Sequence, residues 1–359
     1  MTADFLIIGG GIAGVSAAAR LAPSGAVVLL EGEDNLAYHT SGRSAALFEP
    51  SYGLPPVVAL SFASETYHRT AHGGVLSPRG MMVVGGKGQD ADFAKDCTNF
   101  ELAEISVAEA CGIVPVLNPD TVTRTAIADH AWDIDTDLLI QNFVRDARAH
   151  GAEIRTKARV SKITRDGDRW CAETAQGPVY GRQLINAAGS WADDIARMAG
   201  VRPIGFTPFR RSMARIPAPG GHDLARWPMI FGTGEAWYCK PDAGALIVSP
   251  AEEHLMEPHD AFADDMVLAE GLARYEECVT TPVTRLLASW AGLRTFAPDR
   301  VLVIGADPDV PAFFWLAGQG GYGFQTAPAA SQLAADLISG NTPQMDASVV
   351  ASLSPARFR

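Results

Sequence analysis

The first thirty residues set a hydrophobic pattern that returns later in the chain. Residues 5–8 (FLII) form an unbroken apolar run, as expected of a strand buried on both faces. Glycines follow at 9, 10 and 11, and the small-residue stretch 13–21 predicts a helix stopped by Pro23 and Gly25. A second apolar run, 26–30 (AVVLL), ends at Glu31. Strand, helix and strand in this order predict a right-handed βαβ unit. Residues 153–187 instead alternate apolar and polar positions, with turn signals such as Asp166-Gly167 between them, and predict an antiparallel meander. A hairpin is expected between 236–239 and 246–248 through KPDAG at 240–244. A tight turn at 186–190 leads into a helix over 191–198, and 301–305 is again a buried-strand run. The last predicted helix, 322–339, is closed by Gly340, with Pro343 just beyond.

Dinucleotide-type elements therefore sit at both ends and once in the middle, separated by β-rich segments. The fold class this predicts is α/β plus α+β, a Rossmann-like doubly wound domain beside a second domain built on an antiparallel sheet. At 359 residues the chain exceeds the roughly 250–300 residues at which single cores stop growing. The expected division is 1–80, 136–203 and 295–359 for the first domain, and 81–135 with 204–294 for the second.

Composition narrows the class. Hydrophobic residues at 47% and charged residues at 19% exclude extended disorder. A net charge of −12 argues against nucleic acid and against a polybasic membrane contact. The five cysteines (97, 111, 171, 239, 278) show no CxxC pair and no histidine at metal-ligand spacing. They read as reduced thiols in a cytoplasmic protein, with no metal site expected. No 18-residue apolar run predicts a membrane span, and the opening MTADFLIIGGG lacks a basic leader.

Gly9, Gly11 and Gly14 form a GxGxxG turn between the first strand and helix. One glycine makes the turn, one lets a pyrophosphate approach the backbone, and one lets helix and strand pack closely. The pyrophosphate would lie at the positive end of the helix, flanked by Ile12 and Ala13. Glu31, at the end of the second strand, is placed for ribose hydroxyls. Three further loops suit a flavin dinucleotide: YHTSGRSA at 38–45, containing Gly42, Arg43, Ser44 and Ala45; NAAGSW at 186–191, containing Ala188, Gly189 and Trp191; and GQGGYG at 318–323, containing Gly320, Gly321, Tyr322 and Gly323. The last opens a helix whose free N–H groups suit negative charge on a reduced ring.

With these motifs in place, the chain resembles the D-amino acid oxidase superfamily of FAD-dependent amine oxidoreductases. The motifs run in order from GGGIAG at 9–14 through TSGRSAA (40–46), SYG (51–53), DIDTD (133–137), INAAGSWAD (185–193), FRRS (209–212), YCKPDAG (238–244) and SWAGLRTF (289–296) to GQGGYGFQT at 318–326. They are most similar to those of D-arginine dehydrogenase. The resemblance implies non-covalent FAD, adds Val160 to the cofactor contacts, and assigns Arg211 and Arg294 to the substrate carboxylate. A planar guanidinium fork fits that task. It also implies that Tyr52 and Tyr238 line the cavity, and that Gly321 and Gln325 lie near the substrate amine, with the Gly321 carbonyl as acceptor. Arg210 beside Arg211 leaves the strand face to be fixed, because a one-residue slip reverses it. His39 raises the separate question of a covalent flavin link.

The sequence departs from the arginine enzyme at two positions. Met81, in SPRGMM, stands where that enzyme carries an acid, and Leu47 stands where it carries a histidine. Glu49 lies two residues further on and is a possible replacement acid. The expected reaction is oxidative deamination of a neutral or hydrophobic D-amino acid, by hydride transfer from Cα to flavin N5 and hydrolysis of the imine to a 2-oxo acid and ammonia. Oxidation of a secondary or cyclic amine, as by sarcosine- or proline-oxidising relatives, is the alternative, followed by 2-hydroxy acid dehydrogenation and by a flavin subunit serving a partner. Oxygen and a quinone or dye remain equally open as electron acceptor.

Overall fold

The computed structural model describes residues 2–359. Its first sheet has eight strands and begins with the expected unit: β1 (Thr2–Ile8), α1 (Ile12–Leu21) and β2 (Val27–Leu30). β1 pairs in parallel with β2 on one side and with Gly177–Asn186 on the other. Phe313–Ala317 continues the parallel run beyond Gly177–Asn186. Such strands are covered on both faces, which is why β1 and β2 read as unbroken apolar runs. The helices α1, Thr136–Ala149 and Gly323–Ser339 pack together over one face, around Ile7, Val15, Leu29, Phe143 and Leu333.

The meander is Val160–Asp166, Arg169–Thr174 and Gly177–Asn186, joined antiparallel as the alternation predicts. Glu153–Arg155 does not belong to it. That strand pairs in parallel with β2 at the far edge of the sheet, because the Thr136–Ala149 helix returns the chain there. The Gly323–Ser339 helix ends as expected on Gly340, whose φ of 71° is left-handed, but it is not the last, because a short helix, Ala347–Leu353, follows.

The second sheet has nine strands, drawn from residues 81–128 and 207–296. It is antiparallel except where Met229–Gly232 runs parallel to Met81–Gly86. The expected hairpin forms between Tyr238–Asp242 and Ala245–Ser249, but its turn is only Ala243-Gly244. Both residues take positive φ, 45° and 77°, the twist a two-residue hairpin needs. Lys240, Pro241 and Asp242 are therefore strand, not loop. Lys240 donates to the Ala46 carbonyl and to Asp133, both at 3.0 Å, and so pins the 44–47 segment against the sheet. A short three-stranded sheet (Leu47–Phe48, Trp132–Ile134, Leu76–Pro78) fixes the other side of that segment.

Candidate active site

The glycine turn after β1 has no room for side chains. A Cβ on Gly14 would lie 1.8 Å from the Gly9 carbonyl oxygen, and one on Gly9 would lie 2.3 Å from the Ala187 carbonyl oxygen. The first turn of α1 has no side-chain cap from Gly11; instead the Ile12 N–H donates to Ser41 Oγ at 3.0 Å. Glu31 is held in place by both oxygens: Oε2 accepts from Gly10 N at 2.7 Å and Oε1 from Glu33 N at 2.8 Å. Val160 follows the segment whose Ala158 N–H donates to the Glu31 carbonyl, so it stands beside the acid's strand end. These groups offer backbone donors, a helix N-terminus, a hydroxyl and an acid at one end of a cavity of about 1540 Å³, open solvent at its mouth included.

From there the cavity runs between the two sheets. Gly11, Ile12, Ala13, Ser44, Ala45 and Gly189 line it, as do Gly320, Gly321 and Gly323, of which Gly323 lies against Ile12. Gly189 has nothing within 4 Å of a would-be Cβ, whereas one on Gly320 would lie 2.1 Å from the Phe296 ring. Gly9, Gly14, Glu31, Gly42, Val160, Ala188, Trp191 and Tyr322 stand behind or beside this lining rather than in it. Trp191 packs on His39 at 4.7 Å, and Tyr322 on Tyr52 at 5.4 Å. Arg43 lines the cavity, but its guanidinium is bound to Asp260 and to the Ala261 and Ala291 carbonyls. It ties the two halves of the wall together rather than offering free charge to a phosphate.

Strand register decides the substrate end. Thr207–Pro217 and Ala288–Phe296 pair antiparallel with Arg211 opposite Gly292 and Phe209 opposite Arg294. Directly paired residues share a face and alternate residues share it again, so Arg211 and Arg294 are diagonal neighbours on one face. Both line the cavity. Gly292 opposite Arg211 leaves its side chain free of a cross-strand neighbour. Arg210 faces the other way, to His254 at 3.2 Å and to Glu252 and Asp264 at 3.7 Å. Among the described residues Arg294 has no carboxylate or hydrogen-bond partner. Arg211 is buried, has an unpaired Nε and meets Glu253 only at 3.4 Å. Burial, reinforced by the charge of Arg294, holds the Arg211 guanidinium below its usual range. Burial also pulls on Arg294, but Tyr238, Tyr52 and nearby carboxylates outweigh it and raise its pKa. A buried cation and a half-buried one, both with spare donors, form a site for an anion with two oxygens.

Tyr52 and Tyr238 close over this pair. The Tyr238 hydroxyl reaches Met213 Sδ at 3.5 Å. The Tyr52 hydroxyl donates to Glu235 at 3.3 Å, and burial, then Glu235, pushes its pKa well up, so it remains protonated. Glu235, exposed at the cavity mouth, and Ser41 are functional candidates that sequence reasoning missed. Ser41 lies inside a segment already notable for its hydroxyls, whereas Glu235 sits in a glycine-flanked turn with no signal at all. Gly321 packs against the Arg294 guanidinium, 3.2 Å from a would-be Cβ, and among the described residues its carbonyl accepts no hydrogen bond. Gln325 lines the same cavity as Gly321. Its amide donates to Ser61 Oγ at 3.0 Å and to the Tyr52 carbonyl at 3.3 Å, where its helix packs on Pro55–Thr70, and so braces Tyr52. Leu47, Met81, Met229 and Phe231 provide an apolar wall. Glu49 lines the same cavity although it is only 3% exposed, and burial raises its carboxyl above the usual range.

The FAD dependent oxidoreductase family model, DAO, matches residues 4–337. The chain belongs to that family. FAD is its cofactor, and the glycine turn, Ser41 and Glu31 fit the dinucleotide at the end of the cavity where they lie. As a family member it is similar to the glycine oxidase of Pseudomonas aeruginosa, with 24% identity over 96% of this chain and 97% of that enzyme. Mitochondrial dimethylglycine dehydrogenase of Rattus norvegicus is 25% identical over 99% of this chain, which spans 45% of that longer protein. The fold matches the crystal structure of L-proline dehydrogenase from P. horikoshii with a TM-score of 0.83 at 21% identity, covering 99% and 98% of the two chains. No described helix of this oxidoreductase is long and apolar enough to cross a membrane.

His39 lies outside the large cavity, 3.1 Å from Glu33 and 3.7 Å from Asp260. Flavin is therefore expected to leave the protein on acid precipitation. A yellow pellet and colourless supernatant would establish a covalent bond instead.

Proposed function

We propose that this oxidoreductase oxidises the C–N bond of a 2-amino acid, a D-amino acid with a neutral or hydrophobic side chain. The observation that carries the reading is the shared face of Arg211 and Arg294, two guanidinium groups with donors to spare over one cavity. Bound FAD supplies the hydride acceptor. The residues of the chain do the positioning: Arg211 and Arg294 hold the carboxylate, and the Gly321 carbonyl accepts from the amine, which fixes the rotation about Cα. Tyr52 and Tyr238 cover the ligand, and Tyr52 keeps its proton. No strong base is required when the amine binds uncharged, and the imine product hydrolyses in water.

A second reading has support of its own. An N-methylated or cyclic amino acid presents the same carboxylate to the same arginines, and the relatives include dimethylglycine and proline dehydrogenases. A 2-hydroxy acid fits less well, since among the described residues no histidine lines the cavity to take the hydroxyl proton. Anaerobic mixing with D- and L-amino acids, sarcosine and proline, with flavin absorbance followed, separates these readings. Bleaching by 2-hydroxy acids alone would overturn the proposal.

The apolar wall carries a specificity prediction. D-leucine, D-methionine or D-phenylalanine is expected to exceed D-arginine in kcat/KM by about 10-fold or more, because most of the five guanidinium N–H groups would face the apolar wall without an acceptor. A dye-reduction series that ranks D-arginine first would refute it.

A further inference from the structure

Glu49 is a carboxylate in a place where a carboxylate is costly. It is 3% exposed and belongs to neither arginine pair. Its Oε2 accepts from Ser51 N at 2.8 Å, which fixes the orientation of the group. Its Oε1 is buried and, among the described residues, has no hydrogen-bond partner. The nearest cationic candidate, His130 Nε2, stands 3.5 Å away and already meets the Phe100 carbonyl at 3.1 Å. Leu47, Met81 and Phe100, which belong to one apolar cluster, line the same cavity as Glu49. A buried acceptor without a partner is destabilising, and an apolar wall gives a water few further partners to hold it there. The cavity that offers spare guanidinium donors to one end of a ligand thus also carries in its wall a buried carboxylate oxygen without a hydrogen-bond partner among the described residues.

We propose that Glu49 is a specificity residue whose Oε1 accepts a hydrogen bond from a hydroxyl or amino donor on the substrate's side chain. The inference rests on the amino acid reading above, because it assumes that Arg211 and Arg294 hold the other end. The substrate class narrows accordingly to a 2-amino acid whose mostly apolar side chain carries a donor that can reach this acceptor. One free oxygen satisfies one donor, which suits a hydroxyl or a single N–H better than a guanidinium.

The test uses carboxylates that bind without reacting. Two matched pairs, 3-(4-hydroxyphenyl)propanoate with 3-phenylpropanoate and 6-aminohexanoate with hexanoate, are titrated into the FAD-loaded enzyme while flavin absorbance is followed. In at least one pair the donor-bearing member is expected to bind roughly 5- to 100-fold tighter than its apolar twin. That pair tells a hydroxyl from an ammonium. Glu49→Leu should remove the preference, and Glu49→Gln, which keeps one acceptor oxygen and the side-chain shape, should retain part of it. If Glu49→Leu does not hold flavin, a smaller preference in Glu49→Gln than in the wild type decides the question. Equal affinities within both pairs, or a preference untouched by either variant, would overturn the role of Glu49 while leaving the carboxylate clamp standing. If no carboxylate binds at all, the clamp itself falls and this inference with it.

Discussion

Replacing Arg294 by methionine should lower kcat/KM for the best amino acid substrate by roughly 30- to 4000-fold, the equivalent of about 2–5 kcal/mol for truncating one side of a buried charge pair. The size of the effect follows from the surroundings. Among the described residues Arg294 has no partner, so its removal should take away the contacts proposed to the ligand. Most of the change should fall on KM and on the affinity of unreactive carboxylates, with flavin content preserved. Arg294→Lys keeps the charge but not the planar fork, and should recover only part of the activity. The control is Arg210→Gln, on the paired strand opposite Leu293. That side chain faces Glu252, Asp264 and His254 on the opposite side of the sheet. Its loss leaves buried Glu252 without its cation, so thermal stability should fall while the KM of the remaining folded enzyme stays within about 3-fold. Steady-state kinetics normalised to bound flavin distinguish the two. An Arg210 variant impaired as deeply in KM as the Arg294 variant would mean that the strand register is wrong.

Gly14→Ala should yield protein purified largely without flavin, its FAD affinity reduced by on the order of 100-fold, the cost of displacing binding groups by about 1 Å. The added methyl would lie 1.8 Å from the Gly9 carbonyl oxygen, a backbone atom in the same turn. Relief requires α1 to move away from the loop whose N–H groups face the dinucleotide. Gly88→Ala is the matched control: its φ of +86° makes any side chain strained, but nothing lies within 4 Å. It should cost only about 1–2 kcal/mol and leave flavin content unchanged. The ratio of flavin to protein absorbance, with a melting curve, is sufficient. Full flavin occupancy in Gly14→Ala would show that the turn is more adaptable than its contacts imply.

Much of the dinucleotide half was legible because its signals are local. Residues 5–8 and 26–30 are apolar without alternation, which only a strand covered on both faces requires, and the glycines between them mark where backbone passes backbone. The element boundaries fell within a few residues for the same reason: β1, α1 and the Gly323–Ser339 helix each begin or end on a glycine or proline. The hairpin turn was less legible, since KPDAG holds three turn-prone residues and only the pairing of Tyr238 with Ser249 reveals that the first three are strand. Glu153–Arg155 was misread because three residues carry too little periodicity to distinguish a meander strand from a parallel edge.

The family motifs named Arg211, Arg294, Tyr52, Leu47 and Met81, and all five line one cavity. Side-chain direction was another matter. Gln325 and Arg43 both line the cavity, yet the Gln325 amide is engaged at a helix interface and the Arg43 guanidinium on Asp260. Neither fate is written in the neighbouring residues.

By itself the sequence determined a βαβ unit, a dinucleotide turn ending in an acid, and a set of residue types suited to binding a carboxylate beside a flavin. Only the tertiary structure decided which of two adjacent arginines faces the cavity and that, among the described residues, Arg294 has no partner of its own and Glu49 is buried with one oxygen unmatched. The physical reason is that apolar period and glycine placement act over a few residues. Register and burial arise where strands distant in the chain meet, and a shift of one position there sends a charge from the cavity to the opposite face.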